Sequence, residues 1–221
     1  MIRDIVFDLG KVLCQFDWTI AHQRLLPHLP PYRARLLRED ERAFRMLFRE
    51  PATALEEGRI DLDSFQHIIE EILGIALNED DFHRIWCDIF SLDQEMASLG
   101  ESLSVRYRTW LASNTSKVHY EWIIERFPRV AFYRDALLSY EIGIMKPDAA
   151  YYRELIRRFG IEPPQSIFID DLEENVEAAI KAGMRGIHYR DPISLRSELR
   201  ALGVDPSDRK MSEGPCRTRS A

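Results

Sequence analysis

Short apolar runs that end in polar residues recur along the chain. The first run, Asp4–Phe7, leads directly into Asp8, and a run at 166–169 leads into Asp170 and Asp171. Runs of this length, closed by a polar turn, are typical of strands buried on both faces of a parallel sheet. The pattern predicts five strands, at 4–7, 107–112, 136–138, 166–169 and 185–189.

Between the later strands, apolar residues recur at the spacing of one face of a helix. Pro147 precedes one helical segment and Gly160 follows it, which are the expected places for a helix start and a helix end. Strands that alternate with helices predict an α/β fold, with a parallel sheet and helices on both of its faces. The predicted helices of this part cover 121–127, 149–158 and 175–182.

The block from about residue 16 to residue 90 has only helical spacing. Asn78 is a suitable N-cap and Gly74 a suitable helix end. An all-helical block inserted after the first strand of an α/β domain is typical of a cap. We predict helices in it over 34–48, 62–73 and 79–90.

These patterns divide the chain into a core, an insert and a tail. The α/β core is predicted to combine 1–14 with 93–203, and the helical cap to cover 15–92. Residues 204–221 are polar, include two prolines and show no periodicity, so we expect a disordered tail.

Composition narrows the classes of partner. The 221 residues carry 30 Lys and Arg against 37 Asp and Glu, a net charge of −7, which argues against nucleic acid or an anionic membrane as the main partner. No apolar run approaches the ~20 residues of a membrane span, and the charged N-terminus does not resemble a signal peptide. The scattered cysteines, Cys14, Cys87 and Cys216, favour a reducing cytoplasm. The oligomeric state cannot be predicted from these features.

Polar side chains follow four of the predicted strands. In an open parallel sheet, ligands bind at the carboxyl ends of the strands, so residues distant in sequence are expected to converge there. The convergent set contains carboxylates, a hydroxyl, an amide and an amine. Its members are Asp8, Ser113, Asn114, Lys146, Asp170 and Asp171.

This set suits phosphoryl transfer. Asp8 and Asp170 offer hard oxygen ligands, which suit Mg²⁺ better than zinc or copper. Lys146 and the Ser113 hydroxyl could hold the remaining charge of a phosphate group. A carboxylate can also attack phosphorus to form an aspartyl-phosphate, and the reaction needs mainly positioning and charge neutralisation.

Four segments resemble, in order and spacing, motifs I to IV of the haloacid dehalogenase-like (HAD) hydrolases. The resemblance covers residues 1–203 and depends on all four motifs together. It implies a HAD-like Rossmannoid core, with the helical insert as the C1 cap of that superfamily. The segments are FDLGKV (7–12), LASN (111–114), GIMKPD (143–148) and FIDD (168–171).

The resemblance implies a role for each residue of the set. Asp8 would be the nucleophile and a Mg²⁺ ligand, with the Gly10 carbonyl and Asp170 as the other protein ligands. Asp171 would act on the ion indirectly, through a water molecule or by contacting one of the residues that bind it. The phosphoryl group would be held by Ser113, Asn114 and Lys146, and the Lys146 charge would also neutralise Asp8.

Gly10 and Lys11 depart from the usual pattern. Most phosphatases of the superfamily have an Asp acid/base at the position of Gly10, and the Asp-Leu-Gly pattern most resembles a bacterial subgroup that includes glucose-1-phosphate phosphatases. Without that acid, acidic leaving groups such as those of sugar 1-phosphates are favoured, unless Asp17 or a cap residue supplies the proton. Lys11 would place a second cation beside the site.

Three functions remain open at this point. The sequence favours a Mg²⁺-dependent phosphatase acting on a small phosphorylated metabolite. A 2-haloacid dehalogenase is an alternative, although the resembling dehalogenases replace the acidic pair that Asp170 and Asp171 keep here. A non-catalytic regulatory module that kept the fold is the second alternative, and Gly10 is the feature in its favour.

Overall fold

The structure, a computed structural model, describes residues 1–207 of the chain. Five strands form a central sheet, and two short strands form a separate antiparallel pair. The strands are β1 (Asp4–Phe7), β2 (Cys14–Phe16), β3 (Phe90–Leu92), β4 (Arg108–Ser113), β5 (Ala136–Leu138), β6 (Ser166–Asp170) and β7 (Arg185–His188).

The helices begin and end at recognisable signals. Asn78 caps the N-terminus of one helix by accepting from the Asp81 amide, and Gly74 ends another in the left-handed region at φ 70°, as predicted. None of the helices in residues 1–207 is long and apolar enough to cross a bilayer. The helices are α1 (Trp18–Leu25), α2 (Pro31–Glu39), α3 (Glu41–Met46), α4 (Arg49–Glu56), α5 (Leu62–Leu73), α6 (Glu79–Trp86), α7 (Gln94–Ser104), α8 (Lys117–Arg126), α9 (Ser139–Ile142), α10 (Ala149–Phe159), α11 (Glu173–Lys181) and α12 (Pro192–Ala201), with 3₁₀ helices at Leu26–His28, Pro128–Val130 and Pro163–Gln165.

All neighbours in the central sheet are parallel, in the order β5-β4-β1-β6-β7. Because β1 is central, Phe7 pairs with Leu111 of β4 on one side and with Ile169 of β6 on the other. The residues that follow these positions therefore emerge at one edge of the sheet. The predicted five-stranded parallel sheet is confirmed, including the adjacency of the strands that carry Asp8 and Asp170.

Helices cover both faces of the sheet. Successive side chains of a strand point to opposite faces, so Ile5 and Phe7 pack into one apolar cluster while Val6 packs into another. The first cluster includes residues of α7, α8 and α12, and the second includes residues of α10 and α11. This burial on both faces explains the nearly continuous apolar runs of the strands.

The helical insert, residues 15–92, is not helical throughout. Its two connections to the core form the antiparallel pair β2–β3, in which Phe16 pairs with Phe90. The expectation of a purely helical block is therefore wrong at both ends of the insert, where backbone pairing joins the two connections. The helices between them share an apolar cluster of their own, which includes Phe44, Phe65 and Phe82.

Two predicted helices of the insert have different bounds. The helix predicted over 34–48 is two helices, because Asp40 leaves the helical conformation at φ −145° and its side chain accepts from the Ala43 amide to cap α3. The helix predicted over 79–90 ends at Trp86, since the chain becomes β3 at Phe90. The helices α1 and α4 were not predicted.

The first residues of the predicted tail belong to the folded core. Val204 is 1% exposed within the sheet's first cluster, and Arg106 Nη1 donates to Asp205 Oδ2 at 2.8 Å. Ser102 Oγ also donates to the Ser207 carbonyl at 2.8 Å. The predicted boundary at residue 204 is therefore too early, and 208–221, the rest of the predicted tail, lies outside the described residues.

Candidate active site

A buried lysine joins two carboxylates at the carboxyl edge of the sheet. Lys146 Nζ donates to Asp8 Oδ1 at 2.7 Å and to Asp170 Oδ2 at 2.7 Å. It also donates to the Ala112 carbonyl at 2.9 Å, in the strand that ends at Ser113. The three charged side chains are buried, so this arrangement requires every donor and acceptor to be matched.

Asn114 determines where Lys146 lies. Its Oδ1 accepts from the Lys146 amide at 2.8 Å, and its Nδ2 donates to the Lys146 carbonyl at 2.9 Å. The Asn114 side chain therefore binds the backbone of the loop after α9. The resemblance implied a phosphoryl contact for Asn114, and in the structure its amide group is occupied by Lys146.

Asp170 is held from the side opposite Lys146. Its Oδ1 accepts from the Leu172 amide and from Asn175 Nδ2, each at 2.9 Å. Asn175 in turn receives a hydrogen bond on its carbonyl from the Tyr152 hydroxyl, at 2.8 Å. Asp170 is fully buried, and these bonds fix its orientation toward Asp8.

Burial controls the charge of this cluster. It raises the pKa of Asp8 to about 7, against the opposing effect of Lys146 and with a further increase from Asp170. Burial alone would lower the pKa of Lys146, but the charges of Asp8 and Asp170 outweigh it and raise that pKa. The lysine therefore stays protonated between the two carboxyl groups.

Three carboxylates fit a divalent cation. Asp8, Asp170 and Asp171 each offer an oxygen, and these oxygens lie within 4.8 Å of one another. Burial and the nearby Asp170 raise the pKa of Asp171, as expected for negative charges held close together. Asn175 Oδ1, buried beside them, has no partner among residues 1–207. An all-oxygen donor set of this kind suits Mg²⁺, so the residues present fit the expected ion.

A cavity of about 210 Å³ adjoins this cluster. The core side of the cavity includes Gly10, Ser113 and Asn114, and Ser113 is 2% exposed. The helical insert and α8 provide the other walls, which are largely aromatic. These walls include Phe16, Trp18, Glu56, Phe90, His119 and Ile123.

Gly10 has no conformational need to be glycine. Its φ is not positive, and a Cβ built on it would lie 3.4 Å from Phe16 Cε1, an ordinary contact. Neither the backbone nor a Cβ contact therefore requires glycine here, and the absence of an acidic side chain is a chemical feature of the site.

The side chains of Lys11 and Asp17 form hydrogen bonds to residues close to them in sequence, near the start of the insert. Lys11 Nζ donates to the Phe16 carbonyl at 2.8 Å and lies 4.2 Å from the centroid of the Phe16 ring. The exposed Asp17 caps α1 and accepts from Thr19 N and Oγ1, which lowers its pKa. Neither residue lines the cavity described above.

The cavity contains two titratable residues that the sequence analysis did not select. Burial, with a contribution from Glu57, raises the pKa of Glu56 to about 7. Burial lowers the pKa of His119 to about 4, and its Nε2 lies 3.1 Å from the Trp86 carbonyl. Nothing in the local sequence marks Glu56 as a functional residue. The nearby Gly58 indicates only that a helix ends there.

A family model described as haloacid dehalogenase-like hydrolase matches residues 2–183. The match spans most of the chain, so the chain belongs to the HAD-like hydrolases and is a hydrolase of that family. The resemblance stated from the four motifs is confirmed at this level.

Two relatives are phosphatases. The chain is 26% identical over 211 residues to D-ribitol-5-phosphate phosphatase of Bacteroides thetaiotaomicron, covering 91% of this chain and 98% of the relative. It is 27% identical over 207 residues to a sesquiterpene phosphatase of Aspergillus oryzae, covering 89% and 94%. Both matches extend through the insert as well as the core.

A solved structure shares the fold. A HAD family enzyme from Bacteroides thetaiotaomicron, in complex with magnesium and inorganic phosphate, has a TM-score of 0.73 at 23% identity. The similarity covers 88% of this chain and 99% of that chain.

Proposed function

We propose that the protein is a Mg²⁺-dependent phosphatase that hydrolyses a small phosphorylated metabolite through an aspartyl-phosphate on Asp8. One observation carries the proposal: Lys146 Nζ lies 2.7 Å from both Asp8 and Asp170, and Asn114, which binds the Lys146 backbone, lines a cavity of about 210 Å³. A nucleophilic carboxylate, a fixed cation and a set of metal-ligating oxygens are the components that phosphoryl transfer to an aspartate needs.

The residues of the chain have separate tasks in this reaction. Asp8 attacks phosphorus, and Lys146 favours the ionised form of Asp8 against the effect of burial and offers positive charge to the phosphoryl oxygens. The Ser113 hydroxyl, in the wall of the cavity, is available to donate to one of those oxygens. Asn114 keeps Lys146 in position through its backbone.

Asp8, Asp170 and the Gly10 carbonyl would hold the Mg²⁺, with Asp171 behind them. The bound ion would neutralise the phosphate oxygens and the carboxylates, which orients the phosphorus toward Asp8. The relative crystallised with magnesium and inorganic phosphate supports this choice of ion.

The helical insert is proposed to act as a cap that selects the substrate, with 1–14 and 93–207 as the catalytic core. Phe16, Trp18 and Phe90 of the insert line the same cavity as Ser113. Aromatic walls with few charged groups suit a small organic moiety attached to the phosphate. They would also exclude water from the phosphoryl group.

The acidity of the leaving group bears on which phosphorylated metabolites the enzyme can hydrolyse. Gly10 offers no proton, so the leaving oxygen must either be acidic in itself or receive a proton from another residue. A sugar 1-phosphate meets the first condition, because an anomeric hydroxyl is more acidic than an ordinary alcohol. A sugar 1-phosphate is therefore a candidate substrate.

The two alternatives have less support. A 2-haloacid dehalogenase needs no metal, and the cluster of Asp8, Asp170 and Asp171 argues for a cation at this site. A regulatory module has no need for a lysine buried between two carboxylates, which is costly to maintain unless it serves the chemistry.

Release of inorganic phosphate from a panel of phosphorylated metabolites tests the proposal. We expect turnover with Mg²⁺, none with EDTA, and none for Asp8→Asn, because an amide is a poor nucleophile. Chloride release from a 2-haloacid in EDTA would favour the dehalogenase. Folded protein that is inactive on the whole panel would favour the regulatory module.

A further inference from the structure

The cavity that Gly10 lines is also lined by an acidic residue of the insert. Gly10 belongs to the core side, where the superfamily usually places its acid/base. Glu56, the last residue of α4 in the insert, belongs to the other side of the same cavity. The site therefore has an acid, although not at the usual position in the sequence.

Ser139 ties Glu56 to the phosphate-binding side of the core. Ser139 Oγ donates to the Glu56 carbonyl at 2.6 Å, and it accepts from the Thr115 amide at 3.0 Å. Thr115 follows Ser113 and Asn114 directly, so one buried hydroxyl connects the insert to the loop that lines the cavity.

A glycine permits a second close contact at the same place. Gly58 has φ +65°, and a Cβ there would lie 2.3 Å from the Tyr140 carbonyl oxygen. Only glycine allows the chain to turn so closely against α9. Together with Ser139, this contact holds the end of α4 against the core.

The Glu56 carboxyl is available for chemistry. No residue within 1–207 donates a hydrogen bond to it, whereas the adjacent Glu57 pairs with Arg59 at 2.6 Å. Burial and the Glu57 charge raise the pKa of Glu56 to about 7, so both of its protonation states are accessible near neutral pH. His119, from α8, faces the same cavity and is neutral above about pH 4.

The other acids near the site are less suitable. Asp17 is exposed and accepts from Thr19, and it does not line the cavity. Asp171 belongs to the carboxylate cluster that fits the cation. Glu56 is the acidic residue that shares the cavity wall with Gly10 and Ser113 within the described part of the chain.

We propose that Glu56 of the insert is the general acid and base of the reaction, in place of the carboxylate missing at position 10. This inference depends on the phosphatase function proposed above.

The proposed proton transfers balance in two steps. An Asp8 oxygen bonds to phosphorus while the bond from phosphorus to the ester oxygen breaks, and that oxygen leaves as an alcohol with the proton of Glu56. A water molecule then gives a proton to the Glu56 carboxylate and bonds to phosphorus. The bond from phosphorus to Asp8 breaks, and inorganic phosphate leaves with Glu56 protonated again.

Paired substrates test this role. For Glu56→Gln we expect the single-turnover rate of ester cleavage to fall ~10²–10⁴-fold with ribitol 5-phosphate, whose leaving alcohol needs a proton, and the burst of p-nitrophenol from p-nitrophenyl phosphate to change little. The control is Glu50→Gln, which alters an exposed residue of the same helix and should keep both activities. Equal losses in these two first-step rates would indicate a structural role and would overturn the proposal, as would no loss in either.

The pH profile is a second readout. With ribitol 5-phosphate, kcat of the wild type should decline on the alkaline side as Glu56 loses its proton, and this decline should be absent in Glu56→Gln. Glu57, His119 and the Asp8–Lys146 pair also face this region and remain in the variant. An unchanged alkaline decline in Glu56→Gln would assign it to one of those groups and contradict the proposal.

Two rescue experiments keep the test independent of folding. Imidazole should restore alkyl phosphate turnover in Glu56→Ala, because its protonated form is available near neutral pH to give a proton to the leaving oxygen. Gly10→Asp should restore it in the Glu56→Gln background, because it returns a carboxyl group to position 10, where a Cβ makes only an ordinary contact with Phe16. Failure of both rescues in folded variants would overturn the role of Glu56. A wild type inactive on both substrates would instead overturn the proposed phosphatase function, and the role of Glu56 with it.

Discussion

The side chain of Asn114 makes two hydrogen bonds to the backbone of Lys146, one to its amide at 2.8 Å and one from Asn114 Nδ2 to its carbonyl at 2.9 Å. A residue at the end of β4 thereby positions a residue in the loop after α9. The lysine amine then reaches both Asp8 and Asp170. The charge arrangement of the site depends on this amide pair.

Asn114→Ala should lower kcat by roughly 10²-fold, because a small displacement of a charged group in the site is costly. Asn114→Asp keeps the acceptor for the Lys146 amide but loses the donor to its carbonyl, so it should lie between Asn114→Ala and the wild type. Steady-state kinetics with p-nitrophenyl phosphate and Mg²⁺ would measure both. A fully active Asn114→Ala would show that the loop holds Lys146 without this pair.

Lys146→Met should destabilise the protein in EDTA by about 3–5 kcal/mol, because it leaves two buried carboxyl groups facing each other. Added Mg²⁺ should recover part of this loss, since the cation can neutralise the same groups. Urea unfolding in EDTA and in Mg²⁺ measures both effects. The control is Lys117→Met. Lys117 is exposed and its Nζ lies 3.8 Å from Glu121 Oε1, so this substitution should change the free energy of unfolding by less than about 1 kcal/mol.

Asp170→Asn should abolish the stabilising effect of Mg²⁺. A ligand at 100 times its Kd stabilises the folded state by about 2.7 kcal/mol, so the wild-type Tm should rise clearly with Mg²⁺. The Tm of Asp170→Asn should not respond to the ion. Asp63→Asn, in the exposed first turn of α5, is the matched control and should respond like the wild type. A Tm for Asp170→Asn that rises normally would place the ion elsewhere.

His119 should make the fold less stable in acid. Its pKa is about 4 in the folded state and 6.5 for an unperturbed histidine, so the unfolded state binds more protons between these values. Stability is therefore lost as pH falls through this window, by about 3 kcal/mol for this group. Urea unfolding of His119→Gln should lose less stability than the wild type between pH 7 and pH 4. His67→Gln, which alters an exposed histidine, should follow the wild-type profile.

A chain that ends at Gly203 should be less stable than one that ends at Ser207. The shorter chain loses the buried Val204 side chain, worth about 1.5–3 kcal/mol, and the bonds from Arg106 to Asp205. Thermal unfolding of the two truncated proteins compares them directly. Equal Tm values would show that residues 204–207 contribute nothing to the core.

Local sequence patterns predicted the sheet and most of its site. Each strand is a short apolar run because both of its faces are buried, so the runs at β1, β4 and β6 were visible without knowledge of their partners. The polar residues directly after them, including Asp8 and Asp170, had to share an edge once the strands were parallel. The four motifs are also local in sequence, and they were sufficient to indicate the family.

The tertiary structure decided what depends on contacts between distant segments. Asn114 binds the Lys146 backbone rather than standing free, and Val204 is buried where the sequence suggested a tail. Glu56 lines the same cavity as Gly10 and Ser113, and the contacts of Ser139 and Gly58 hold this end of α4 against the core. Periodicity shows which positions of one helix or strand are buried. It does not show which distant residues they contact, because those contacts depend on how the segments pack against one another.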